Sequence, residues 1–159
     1  MHHTEDFLKV WEMESLSTLK VFAALTDASL QQSVVPGGYT LQSLAWHITI
    51  AAAMLPAQGG LVPVPERGPA PPTVAEIVAA YHKNSLALVA AVRDQTTDAA
   101  LAEQINFFGR TLRRGALLSF TIMHQAHHRA QMMVLMKQAG LKVPGVYGPS
   151  EDDIKAAKK

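Results

Sequence analysis

Six of the nine prolines in this 159-residue chain fall within residues 56–72, together with Gly59, Gly60 and Gly68. Proline lacks a backbone donor and its ring blocks both a helix interior and a central strand, so this stretch is predicted to be neither. A structureless link of this length inside a compact domain is uncommon and is often a lid or pocket wall. A rigid crossover between two helices is the equally open alternative. On either side the apolar residues recur at helical spacing, and alternating strand patterns are almost absent.

Residues 5–25 carry Leu8, Trp11, Leu19 and Phe22 along one stripe. A connector with the turn signal Pro36-Gly37-Gly38 follows, and Thr40 is placed to cap a helix over residues 41–55, with Leu44, His47, Ala51 and Leu55 on one face. Thr73 caps a third helix to about Gln95, and a short helical turn follows Thr97-Asp98. Asn106-Phe107-Phe108-Gly109 leads into a last long helix over residues 111–139, stopped at Gly140. Ser150 with Asp153 forms a capping-box pattern for a tail helix. The fold class is therefore all-α: a four-helix bundle with a long Pro/Gly-rich crossover loop, residues 1–159 forming a single domain with a short C-terminal tail helix.

Composition narrows the function. The chain is 48% hydrophobic, which sets aside disorder and fibrous repeats. A net charge of +1 gives no basic stripe for nucleic acid, and the runs Arg110 with Arg113-Arg114 and Lys155, Lys158, Lys159 read as solvated helix ends. The absence of cysteine excludes disulfides, thiolate metal sites and thiol nucleophiles. The start, Met1–Asp6, lacks the pattern of a signal peptide, and no apolar run reaches the ~18–20 residues of a membrane span, so a cytoplasmic protein without membrane partners is expected. The last helix is apolar nearly all round, with Leu117, Leu118, Phe120, Ile122, Met123 and Met132 among its residues. Such a helix wants neighbours on several sides, and a homodimer interface is one home for the surplus face.

Seven histidines carry the chemical signal. His124 and His128 lie four apart on one helix, so their imidazoles project from one face and can converge on one ion. Their face reads Leu117, Thr121, His124, His128, Gln131, Leu135, which suggests a site sunk into the bundle. His47 sits on an apolar face, where a bare imidazole is costly. It is either a core histidine bonded to a backbone carbonyl or the third nitrogen of a metal site with one open position. His127 points about 100° away from His128 and is expected to pack or to support the ligands from behind. His82 is expected on the surface, and His2 and His3 in a frayed terminus. Gln125 stands where a zinc protease of the His-Glu-x-x-His type needs its glutamate, and no Glu-x-x-His pair of a di-iron bundle is present.

The segments Gly37-Gly38-Tyr39-Thr40-Leu41-Gln42-Ser43-Leu44-Ala45-Trp46-His47-Ile48 and His124-Gln125-Ala126-His127-His128-Arg129-Ala130-Gln131, with the ending Pro144-Gly145-Val146-Tyr147-Gly148-Pro149, resemble the DinB/YfiT-like family of small metal-binding four-helix bundles. Ala130 stands where that family usually has glycine. The resemblance runs nearly the length of the chain. It implies that His47, His124 and His128 bind one divalent metal, zinc or nickel, and that the protein is a homodimer. It also implies chemistry on a low-molecular-weight thiol, either transfer or thiol-dependent isomerisation, and not DNA polymerase activity or direct DNA repair. The function expected is a metal-dependent enzyme of thiol-transferase or hydrolase type acting on a small molecule. Trp46, Thr121 and Gln131 are near enough to line its pocket, and no residue declares itself a general base. The alternative is a non-catalytic bundle stapled by metal, or a ligand-binding stress protein.

Overall fold

The computed structural model describes residues 1–158, so Lys159 of the basic tail lies outside the described residues. Helix α1 (Thr4–Ala23) begins with Glu5 and Asp6 and has Lys20 in its last turn, charges that complement the helix dipole. It buries Phe7, Trp11, Thr18, Val21 and Phe22. The Trp11 indole N–H donates to Ser85 Oγ at 2.9 Å, tying α1 to α3 (Val74–Gln95) through the core.

Helix α2 (Leu41–Gln58) opens with the expected cap at Thr40, whose side chain accepts from the Ser43 amide while Ser43 Oγ accepts from the Thr40 amide. It does not end at Leu55. Pro56 lies inside the helix, which stops at Gln58. Proline forfeits one intrahelical bond, but its fixed φ is itself helical, so the final turn persists until Gly59 and Gly60 (φ 69°) redirect the chain. Thr73 caps α3 as expected.

The short helix α4 (Asp98–Ala102) leads into a feature the sequence reading did not contain. Residues 104–113 form an antiparallel hairpin, β1 (Gln104–Phe107) with β2 (Arg110–Arg113), in the register Gln104↔Arg113 to Phe107↔Arg110. Residues 111–113 are therefore strand, and the last long helix, α5 (Arg114–Gln138), starts three residues later than expected. With four-residue strands the alternation is too short to stand out, and Thr111-Leu112-Arg113 reads equally well as a first helical turn. Ile105, Phe107 and Leu112 pack on Ala51, Leu55 and Leu117, which closes one end of the bundle. Arg114 is no solvated helix end: it donates to the Gly59 and Ala100 carbonyls and pairs with Glu103 at 2.7 Å. Gly140 (φ 72°) terminates α5, and the Ser150–Asp153 box opens α6 (Glu151–Ala156). The amino terminus is docked and not frayed, with His3 Nδ1 at 2.9 Å from Asp98 Oδ2 and the Thr4 amide donating to Asp98 Oδ1.

In the resulting all-α bundle α2 packs on α5 and α3, and α1 packs on α3 and α5. No helix among the described residues is long and apolar enough to cross a membrane.

Candidate metal centre

The α2·α5 pairing brings His47 of α2 against His124 and His128 of α5. One ligand atom from each lies within 4.8 Å of the others, and the ring centroids are 4.4–4.9 Å apart. His47 Nε2 and His124 Nε2 approach to 3.2 Å. Two nitrogens bound at ~2.0–2.1 Å to one tetrahedral ion stand ~3.3 Å apart, so this pair already has the spacing of two ligands on a common cation. His128 is set for the same use. Its Nδ1–H donates to Gln131 Oε1 at 2.8 Å, which leaves the Nε2 lone pair free.

The electrostatics agree. Burial, followed by the proximity of His128 and His47, pushes His124 down to about 4. Partial desolvation against its neighbours, then His128, also lowers His47. Both rings are thus neutral at pH 7, the form a metal requires. The donor set, three imidazole nitrogens with no carboxylate among the converging groups, could hold a metal ion.

The cluster is shallower than the sequence suggested. His47 is exposed, and His124 and His128 are partly so. The cause is a cavity of about 620 Å³ beside it, which His47 and His124 line. Trp46 and Met54 of α2, Phe120 of α5 and Phe107 and Phe108 of the hairpin wall this cavity, and the crossover loop contributes Arg67 and Gly68. The loop is therefore a pocket wall, held in place by the Trp46 indole N–H donating to the Gly68 carbonyl (3.0 Å) and by Gln42 Nε2 donating to the Pro71 carbonyl (2.7 Å).

Of the residues expected to line the pocket, Trp46 does so. Gln131 instead positions His128, and Thr121 is buried with its hydroxyl donating to the Leu117 carbonyl. His127 is exposed and lies edge-on to His128 at 4.8 Å, and His82 is exposed on α3. His124 Nδ1 is buried without a partner, so this ring lacks the support that Gln131 gives His128. Sequence reasoning missed Arg67 and the hairpin phenylalanines. Gly109 was the only turn signal, and Phe108-Gly109 is not one of the pairs that mark a two-residue hairpin loop.

It also missed a buried ion pair on another side of α5. Arg129, only 1% exposed, donates to Glu14 Oε2 at 2.8 Å, to the Glu14 carbonyl and Thr18 Oγ1 at 3.0 Å each, and to Tyr147.

The comparisons with known proteins follow the same lines. The chain is 44% identical over 151 residues to the uncharacterized protein YrdA of Bacillus subtilis strain 168, a match covering 94% of this chain and 90% of that one. Among solved structures, it resembles a DinB-like protein from Bacillus cereus ATCC 10987 with a TM-score of 0.87 and 42% identity, covering 92% of this chain and 99% of the other. A second DinB-like protein, YjoA of Bacillus subtilis, shares the fold at a TM-score of 0.72 and 16% identity over 89% of this chain and 96% of its own. The model of the DinB family matches residues 1–159 in full, and with these relatives it establishes that the chain belongs to the DinB family.

Proposed function

We propose that His47, His124 and His128 hold one divalent cation, zinc or nickel, and that the protein is a metal-dependent enzyme of thiol-transferase or hydrolase type acting on a small molecule in the adjoining cavity. The observation that carries this reading is the convergence of three imidazoles, two of which, His47 and His124, are driven toward neutrality and line a 620 Å³ cavity. A cation bound there supplies uncompensated positive charge, which lowers the pKa of a thiol or water brought to it. The chain has no cysteine, so the thiol must arrive as a small molecule. Tyr39 on the cavity wall carries a hydroxyl that can hold a substrate, whereas the Ser43 hydroxyl is engaged with the Thr40 backbone. The apolar wall of Trp46, Met54, Phe107 and Phe120 limits water around it.

The absence of any Asp or Glu from the described lining favours the second reading, a bundle that metal merely staples. The test is elemental analysis of wild type against His47→Ala, His124→Ala and His128→Ala, with turnover assays pairing cysteinyl thiols with a haloarene and offering simple esters. One metal per chain, lost in each variant along with turnover, supports the enzyme. Metal that raises the melting temperature without any turnover supports the staple. The chain is further proposed to be a homodimer through the exposed α5 face formed by Met123 and Val134. Light scattering at micromolar concentration tests this, with a monomer counting against it.

A further inference from the structure

Phe108 breaks a backbone rule. It occupies the first loop position of the β1–β2 hairpin with φ 50°, followed by Gly109 at φ 80°. A two-residue hairpin loop with positive φ at both positions strongly prefers Asn-Gly or Gly-Gly, because a bulky side chain is strained there. The ring recovers little by packing, since Phe108 is 72% exposed. What it does is face the cavity. From it an unbroken aromatic series runs inward: Phe107 at 4.7 Å, then Phe120 at 5.5 Å from Phe107, then His124 at 5.8 Å from Phe120. Strain of this kind persists where the surroundings hold it, and it gathers at ligand clamps.

The same lining holds Arg67, exposed on the crossover loop and the one side chain with a fixed charge there, with no carboxylate in the described lining. Among the described residues no ion pair involves it. Two hydrogen bonds from α2 to the Gly68 and Pro71 carbonyls fasten the loop backbone just after Arg67. Flanking prolines at 63, 65, 69, 71 and 72 restrict the chain around it. A guanidinium repels a cationic ligand and pairs with a carboxylate or sulfonate.

The geometry points to a substrate that is a flat, aromatic organic anion, its ring held by Phe108 and Phe120 and its anionic group by Arg67, with Phe108 and Arg67 setting specificity. The cavity volume is within the 300–1,000 Å³ of ordinary small-molecule sites and accepts a one- or two-ring molecule. This rests on the proposed function only for which end of the ligand reaches the histidines; the binding itself needs no metal.

The test is calorimetric titration of 2-naphthoate and its neutral analogue 2-naphthamide into wild type, both metal-free (chelated, then dialysed) and reloaded. Naphthoate is expected to bind the metal-free protein roughly tenfold more tightly than the amide, as one charge-assisted contact would give. Arg67→Ala should erase that preference while leaving amide binding in place. Phe108→Asn should weaken both ligands by roughly 3- to 10-fold, the worth of an aromatic contact, while its melting temperature stays at or above wild type. Equal affinities in wild type, no binding of either ligand, or a preference that survives Arg67→Ala would each overturn the proposal. So would a Phe108→Asn protein that melts lower and binds normally, and so would a charge preference that appears only on reloading, which would put the anion at the histidines. Failure of the metal reading would show separately, as wild type that takes up no metal.

Discussion

Gln131 offers a sharper probe of the three-histidine cluster than its ligands do, because its removal leaves every imidazole in place. It is exposed on α5, and its carbonyl oxygen accepts the Nδ1–H of His128 at 2.8 Å. That bond fixes both the ring orientation and the tautomer that turns Nε2 outward. Losing such a supporting bond typically costs 10–100-fold in metal affinity, or about 1.4–2.7 kcal/mol. Gln131→Ala is an exposed substitution, so the metal-free fold should move by no more than about 0.5 kcal/mol. Metal stabilises the fold through its binding free energy, so the same variant with metal should lose most of that 1.4–2.7 kcal/mol. For a chain of this length, the melting temperature of the metal-bound form should fall by about 3–10 °C, with that of the metal-free form nearly unchanged. Gln131→Glu places a carboxylate on the same nitrogen, makes the imidazole more basic, and should retain at least wild-type affinity. Chelator-competition titrations and paired thermal melts measure both quantities. If Gln131→Ala binds metal as wild type does, then His128 Nε2 is not a ligand and the three-nitrogen assignment fails.

Two further outcomes are expected. Arg129→Met leaves the Glu14 carboxylate, itself buried, without its partner, and should cost about 3–5 kcal/mol in urea unfolding, most of it recovered in Glu14→Leu/Arg129→Met; a single-variant cost under about 1 kcal/mol would mean the pair is solvated in solution. The metal-free protein should lose stability as pH falls from about 6.5 toward about 4, because the unfolded chain protonates His124 near its ordinary value while burial holds the folded ring down at about 4; urea midpoints at three pH values in that window measure this, and His124→Phe should flatten the slope.

Much of the fold was legible because its signals are local. The Thr40–Ser43 and Ser150–Asp153 caps, the stop at Gly140 and the i,i+4 pair His124–His128 each lie within one or two turns of chain, where spacing alone determines which groups meet. His47 was legible only as an imidazole on an apolar face, since its partners lie 77 and 81 positions away and spacing carries no information at that range. The hairpin was hidden because Phe108 stands where its turn type prefers Asn or Gly. The depth of the site was misjudged for a related reason. A periodic apolar face shows which side of α2 turns inward, but the cavity beside it is made by the hairpin and the crossover loop, which have no periodicity to read. Arg129 was passed over because a lone arginine on a helix is ordinarily solvated; only the fold brings Glu14, from 115 positions upstream, against it.

The placement of that ion pair bears on the site itself. Residues one position apart on a helix differ by about 100° in direction, so the stripe His124, His128, Gln131 and the stripe Gln125, Arg129, Met132 look out from different sides of α5. The second stripe is buried, with Arg129 fastened to the backbone and side chain of Glu14 on α1 and Gln125 accepting from the Tyr81 hydroxyl at 2.7 Å. These directional bonds fix the rotation of α5 about its own axis, which apolar packing alone would hold only loosely, and through it the direction in which His124 and His128 point. Three costly features border one cavity, an unpartnered His124 Nδ1, a strained Phe108 and an exposed His47, although Gln125 Nε2 on the buried stripe is likewise without a partner. Departures from local consistency are expected to concentrate where a protein acts, with compensation elsewhere in the fold. Here the compensation is displaced by a single residue along the same helix, so that the anchoring of α5 to α1 and α3 also aims the imidazoles at His47.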